Sequence, residues 1–129
     1  MTVPPATPTI HIASRAELDA LLDAGEGIRA TWTVRCSIGP AWIGAGRRIE
    51  LRVGDALMDE SCEGHRLLAA AIVACFELPE AHEDEVTYGH GWIARVGGRL
   101  EIDYEWSRSV PYADSSAFEV DTRELTLPE

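Results

Sequence analysis

The sequence IRATWTVRC at residues 28–36 decides the fold, because apolar and polar side chains alternate through all nine positions. This period of two predicts a strand with one buried face and one solvated face. A second alternating run, IELRV, follows at residues 49–53, and the segment between them is rich in glycine. Because strands joined by short loops favour antiparallel pairing, we expect both runs in one antiparallel sheet.

Two helices flank these strands in the sequence. Ser14 and Glu17 have the spacing of a capping box and predict that a first helix opens there. Residues 67–78 are almost wholly apolar and predict the central core helix. The start of this second helix stays open, because Asp55 can cap a helix and Gly64 weakens one.

A hairpin is predicted around a Gly-Gly pair, and its register has two solutions. A two-residue turn sets Trp92 opposite Asp103. A three-residue loop sets Trp92 opposite Tyr104 and pairs Arg95 with Glu101. We predict the three-residue loop, because it matches apolar with apolar side chains and places Trp92 in the core.

These elements, with short strands near residues 10–12 and 117–120, give the order β-α-β-β-α-β-β-β, and a further short strand at residues 125–127 stays open. We expect an α+β fold in two layers, with an antiparallel sheet of about four to six strands. Both helices should pack on one face of the sheet. Residues 1–8 are rich in proline and predict a flexible tail, followed by a single α+β domain over residues 9–129.

Composition restricts the function. The net charge is −11, and residues 77–129 alone carry 13 acidic and 4 basic side chains. This charge disfavours direct nucleic-acid binding, which needs clustered cations. No apolar run approaches the roughly 20 residues that span a bilayer, and the first residues do not resemble a secretory signal. Three widely spaced cysteines do not suggest a disulfide framework, so we expect a cytoplasmic protein.

Motifs of catalysis and of metal or phosphate binding are missing from the sequence. Cys62 and His65 are three residues apart, but zinc requires a second matched pair. The glycines near residue 45 lead into a strand, whereas a dinucleotide loop leads into a helix. The sequence contains no G-x-S-x-G. We therefore predict no catalytic residue, no metal site and no cofactor.

Glu101, Asp103 and Glu105 form the most regular polar feature. Alternation places all three on one face of a strand, about 6.5–7 Å apart. That spacing permits acid–base chemistry, and His90 could join the carboxylates in a pocket. The favoured interpretation is a solvated face balanced by cross-strand arginines, which can also serve as a docking surface.

Other candidates for partner binding lie in predicted loops. A tryptophan stands in a Gly/Pro-rich loop without periodic partners, which is typical of a surface anchor. Three consecutive acids lie in an acidic loop predicted over residues 79–90, and a tyrosine lies in a loop predicted over residues 107–116. The complete set of predicted partner-binding residues is Trp42, Glu83, Asp84, Glu85, Glu101, Asp103, Glu105 and Tyr112.

The chain is small, acidic, free of lysine and α+β, with an apolar helix, an acidic loop and a hairpin in succession. In size, charge and layout, residues 28–106 resemble the small acidic proteins of phages and mobile elements. These include toxin-immunity proteins and anti-CRISPR or other anti-defence inhibitors. The resemblance implies inhibition by covering a basic surface on a toxin or a nucleic-acid-handling complex.

We therefore expect a non-enzymatic inhibitor that binds a basic protein or nucleoprotein complex, steered by its acidic side chains. Two alternatives stay open. One is a small enzyme or ligand-binding domain that uses the carboxylate cluster. The other is a structural module that forms a homodimer.

Overall fold

The computed structural model describes residues 8–35, 46–80, 86–109 and 116–128. Within them the fold is α+β, as predicted. The elements are β1 Thr9–Ile10, α1 Arg15–Asp23, β2 Ile28–Arg35, β3 Gly46–Val53, β4 Ala56–Met58, α2 Glu63–Phe76, β5 Val86–Val96, β6 Arg99–Ser109 and β7 Ser116–Leu125.

All seven described strands belong to one sheet, in the order β1-β4-β3-β2-β5-β6-β7. Neighbouring strands are antiparallel except β1 and β4, which are parallel. The sheet has more strands than the four to six predicted. The additional strand is β4, which directly follows Asp55, a residue that can cap a helix. Gly54 adopts a positive φ of 58° and turns the chain from β3 directly into β4.

The capping box at the start of α1 is confirmed. The Ser14 hydroxyl accepts the backbone N–H of Glu17 at 3.2 Å, and the Glu17 carboxylate accepts the N–H of Ala13 at 2.6 Å. Helix α2 begins at Glu63 and is followed by Glu77 in the left-handed conformation. No helix in the described part of the chain has the length and apolarity needed to cross a bilayer.

Both helices contribute to one hydrophobic core with alternate positions of the central strands. Leu18 of α1 and Leu68 and Ile72 of α2 are completely buried, as are Trp32 of β2 and Ile102 of β6. The strand positions between the buried ones remain partly or fully exposed. We define the outer face as the positions of β3, β2, β5, β6 and β7 that strand pairing places on the same side of the sheet as Tyr88, His90 and Trp92.

The predicted hairpin register is wrong. The structure has a two-residue turn, Gly97-Gly98, with both φ angles positive. Trp92 therefore lies opposite Asp103 on the outer face, and the buried Ile93 lies opposite Ile102. The reason is that the two inward positions of β5 nearest to Ile93 are glycines. The register prediction compared apolar side chains within the hairpin alone. It did not allow for inward glycines, where side chains of neighbouring strands fill the core.

Two strand boundaries also differ from prediction. Strand β5 begins at Val86, although residues 79–90 were expected to form a loop. Strand β7 is continuous from Ser116 to Leu125 and includes one of the two short terminal strands that were expected. The longer β5 and β7 strands extend the outer face along the strand direction.

Candidate protein-binding surface

The outer-face positions of β5 form an aromatic row. Tyr88, His90 and Trp92 alternate with two glycines, and all three side chains are exposed. The glycines must point inward, because a Cβ at Gly89 would lie 2.2 Å from the Trp32 ring and one at Gly91 would lie 2.7 Å from Ile102. Close packing beneath the strand therefore forces its aromatic side chains outward.

The predicted core position of Trp92 is corrected by this arrangement. Its side chain is 45% exposed. The indole ring lies across Gly27, where a Cβ would approach ring atom Cζ2 to 1.9 Å. Gly27 is buried as a result. Trp92 is thus held against the sheet surface by one side of its ring and exposes the other side to solvent.

Glu101, Asp103 and Glu105 lie together on the outer face of β6, as predicted. Glu105 Oε2 is 3.2 Å from His90 Nε2, and Glu101 Oε2 is 3.8 Å from the nearest guanidinium nitrogen of Arg99. Asp103 accepts a hydrogen bond of 2.5 Å from the Thr122 hydroxyl. Only one of these three carboxylates thus has an arginine within 4 Å among the described residues.

The expected pairing of Arg95 with Glu101 is wrong. Arg95 faces the helices, and its guanidinium lies 3.0 Å from Asp19 and 3.0 Å from Asp23, both on α1. The two-residue turn places Arg95 opposite Leu100, on the other face from Glu101. This arginine therefore joins β5 to α1 and leaves the carboxylates of β6 to the outer face.

Exposed apolar side chains are concentrated on the same face. Among the described residues, every large hydrophobic side chain that is exposed lies at an outer-face position. Phe118 and Val120 of β7 are the most exposed, at 64% and 66%. Sequence reasoning missed them, although both alternate with acids in FEVD. The complete set is Tyr88, Trp92, Val96, Phe118 and Val120.

A shallow groove of about 550 Å³ crosses this surface between β2 and β7. Its chemistry is mixed, with an indole ring, an imidazole, two outward carboxylates and one guanidinium. Two carboxylates, Asp103 and Glu105, lie beside Trp92, whereas Arg29 lines the β2 side. The outer-face residues that line it are Arg29, His90, Trp92, Asp103, Glu105, Val120 and Thr122.

Charge divides the outer face in two. The β2–β3 half carries four arginines and one acid, Glu50, which pairs with Arg52 at 2.8 Å. The β6–β7 half carries four acids and one arginine, Arg99. The aromatic row of β5 lies between the halves. The four arginines are Arg29, Arg35, Arg48 and Arg52, and the four acids are Glu101, Asp103, Glu105 and Glu124.

Part of the acidity of the C-terminal region faces the other way. Glu119 lies on the helix side of β7, where it accepts hydrogen bonds from the Tyr104 hydroxyl and, at 3.0 Å, from Arg123. The bond from Tyr104 lowers the pKa of the Glu119 carboxyl, and burial raises the pKa of the Tyr104 hydroxyl. Arg123 also donates to the Cys75 carbonyl oxygen at 3.0 Å, which ties β7 to α2.

The remaining predicted binding residues are outside the described part of the chain. Trp42 and Tyr112 belong to this group, as do the three consecutive acids at residues 83–85. Of the predicted set, the structure therefore brings together the three carboxylates of β6. The predicted residues outside the described ranges are Trp42, Glu83, Asp84, Glu85 and Tyr112.

The fold and this surface define a class: an α+β domain whose sheet exposes one aromatic and bipolar face. Comparison with protein-family models, curated proteins and solved structures finds no match for this chain. Within residues 8–35, 46–80, 86–109 and 116–128, no group of three or more His, Cys, Asp or Glu side chains is arranged to hold a metal ion.

Proposed function

We propose that this protein is a non-enzymatic inhibitor that binds and occludes a basic surface of a partner protein or nucleoprotein complex. The outer face is the proposed contact surface, and the two helices would form a second layer behind it. One observation carries the proposal: the exposed large apolar side chains in the described part of the chain lie on the face that also displays the carboxylates of β6. Phe118 and Val120 are neighbours on this face of β7, and exposed apolar groups that adjoin one another are typical of interaction sites.

Acidic side chains and aromatic side chains would act at different stages of binding. Glu101, Asp103 and Glu105 would attract a cationic surface over several ångströms and raise the association rate. Trp92 and Phe118 would then supply the buried contact area that slows dissociation. The anionic and apolar groups lie on adjacent strands, so one partner surface can meet both.

The groove suggests the chemical group that it would receive. An arginine side chain of the partner can stack on the Trp92 ring and donate to Asp103 and Glu105. Arg29, on the β2 side of the groove, would repel that cation and direct it toward β6. The partner's arginine therefore becomes the expected central contact, enclosed by Val120.

The toxin-immunity and anti-CRISPR or anti-defence classes both fit this proposal, because each acts by covering a functional surface on another protein. A cytoplasmic location is part of it. Two described cysteines, Cys62 and Cys75, are free thiols, as expected in a reducing compartment.

The His90–Glu105 pair favours a second candidate, a small enzyme or ligand-binding domain. Its 3.2 Å contact lies within the groove and beside Asp103, and a histidine oriented by a carboxylate is a common acid–base arrangement. His90→Gln separates the two functions. If this substitution weakens partner binding by less than about threefold (under 1 kcal/mol), the inhibitor is supported. If it abolishes small-molecule binding or turnover, the enzyme or ligand-binding domain is supported.

Site-specific photo-crosslinking tests the inhibitor. A benzophenone amino acid replaces Val120 on the outer face, and the matched control replaces Arg66, which is exposed on α2. Lysates containing candidate toxins or nucleic-acid-handling complexes provide the partner. We expect one dominant crosslinked protein with a basic surface from position 120 and none from position 66. Equal crosslinking from both positions contradicts the proposal.

A further inference from the structure

We propose that the outer face also binds a second copy of this chain, in a twofold dimer in which two sheets pack face to face. This inference depends on the proposed function in one respect, because it assigns the same face as the contact surface. The occupant is inferred from the charge pattern, which is complementary to itself across the aromatic row of β5.

Strand pairing places the outer-face side chains in rows that cross five strands in the order β3, β2, β5, β6 and β7. The row through Trp92 reads Arg52, Arg29, Trp92, Asp103, Thr122. The row through His90 reads Glu50, Thr31, His90, Glu105, Val120. The row through Tyr88 reads Arg48, Thr33, Tyr88, Ser107, Phe118.

A twofold axis parallel to β5 and lying between the two sheets reverses the order of each row in the second copy. Arg29 and Asp103 flank Trp92 on opposite sides at about one strand spacing, 4.8 Å. The axis therefore places Arg29 of one copy against Asp103 of the other, twice in each dimer. The same operation places Arg48 over the ring of Phe118 in the other copy.

An axis perpendicular to the strands would give the opposite result, since it sets the arginine half of the face against itself. The charge pattern thus selects one of the two simple twofold arrangements. In that arrangement strand directions of the packed sheets agree, as in aligned sheet packing. Trp92 meets its own copy at the axis.

The available area is sufficient for a stable dimer. Five strands about 4.8 Å apart and about 30 Å long cover about 700 Å². A standard specific interface buries about 800 Å² per partner. The area of the outer face is thus close to the area that one partner buries in a standard interface.

Dimerisation through this face would compete with binding of a basic partner, because one face cannot contact both. Free protein would be stored as dimer at high concentration and released as partner captures the monomer. The dimer also conceals Phe118 and Val120, which otherwise stand near the open edge of the sheet.

A charge exchange tests the dimer in sedimentation-velocity experiments on the full chain. Arg29→Asp creates two like-charge contacts per dimer, and so does Asp103→Arg. The double variant R29D/D103R restores both contacts with their signs exchanged. We expect each single variant to weaken dimerisation by about tenfold or more and the double variant to return to within about threefold of the wild type. Far-UV circular dichroism confirms that each variant folds.

Three outcomes overturn the dimer: a wild type that stays monomeric to about 500 µM, single variants that dimerise as the wild type does, or a double variant that fails to recover. The proposed inhibitor function gives a different pattern. D103R and the double variant both place a cation among the acids of β6, so both should lose a basic partner. Partner binding with a monomeric wild type leaves the inhibitor proposal standing and removes the dimer.

Discussion

Replacing Gly89 by alanine tests the placement of the aromatic row. Gly89 is an inward position of β5, directly opposite the completely buried Trp32. An added Cβ would lie 2.2 Å from ring atom Cε2 and 2.4 Å from both Cζ2 and Nε1. These distances are more than 1 Å inside normal carbon–carbon contact, so the tryptophan ring or the strand must move.

The magnitude follows from two opposing effects. Overpacking a filled core costs about 1–3 kcal/mol, and occasionally more. Replacing glycine in a strand interior gains back about 0.5–1 kcal/mol of conformational entropy. Because the clash involves an aromatic ring held between β5 and Phe76 of α2, with ring centroids 4.7 Å apart, we place the result near the upper end. Gly89→Ala should destabilise the protein by about 2 kcal/mol.

Thermal unfolding followed by circular dichroism measures this change. At this chain length 2 kcal/mol corresponds to a decrease in Tm of about 8 °C. His90→Ala is the matched control, because His90 is the outward neighbour and its loss should change stability by less than about 0.5 kcal/mol. In a Trp32→Leu background the cost of Gly89→Ala should diminish. A neutral or stabilising Gly89→Ala would mean that Gly89 faces solvent, which refutes the outward placement of Trp92.

Two further predictions concern other contacts. Hydrogen bonds lower the pKa of Asp59 from 3.8 to about 2. The largest effect comes from the Ser61 backbone N–H, followed by the Ser61 hydroxyl and the His11 ring. The ionised carboxylate thus stabilises the fold above pH 4, and this stabilisation is lost as the pH falls toward 2. Asp59→Asn should lower Tm at pH 7 and match the wild type near pH 2; a Tm difference independent of pH contradicts this. Arg123→Met should lower the free energy of unfolding, measured in urea, by about 2 kcal/mol. The Cys75 carbonyl oxygen loses a hydrogen bond and the Phe76 ring loses a cation–π contact. An unchanged unfolding midpoint contradicts this prediction.

Local sequence patterns predicted the elements whose structure depends on local chemistry. The capping box at Ser14 fixed the start of α1, and strict alternation fixed β2. The acids of β6 were placed on one face by the same alternation. In each case the hydrogen-bonding group or the side-chain period is contained within a few residues of sequence.

The hairpin and the aromatic row could not be predicted in this way, because their geometry depends on distant strands. In the sequence, Gly89 and Gly91 indicate a weak strand. In the structure, Trp32 and Ile102 fill the space beneath these two glycines. Apolar matching within the hairpin alone then selects the wrong register and buries Trp92. The bipolar charge pattern likewise emerges only when β2 and β3 are known to lie beside β5.

Association kinetics with a partner captured by crosslinking test directly whether the outer face is the contact surface. Asp103→Arg is compared with Glu60→Arg, which makes the same charge change at an exposed turn before α2. We expect Asp103→Arg to slow association by about tenfold or more at low salt, because the steering charge lies on the outer face. Glu60→Arg should remain within about twofold of the wild type. Equal effects of the two substitutions would show that net charge alone governs binding, and would contradict a contact surface on the outer face.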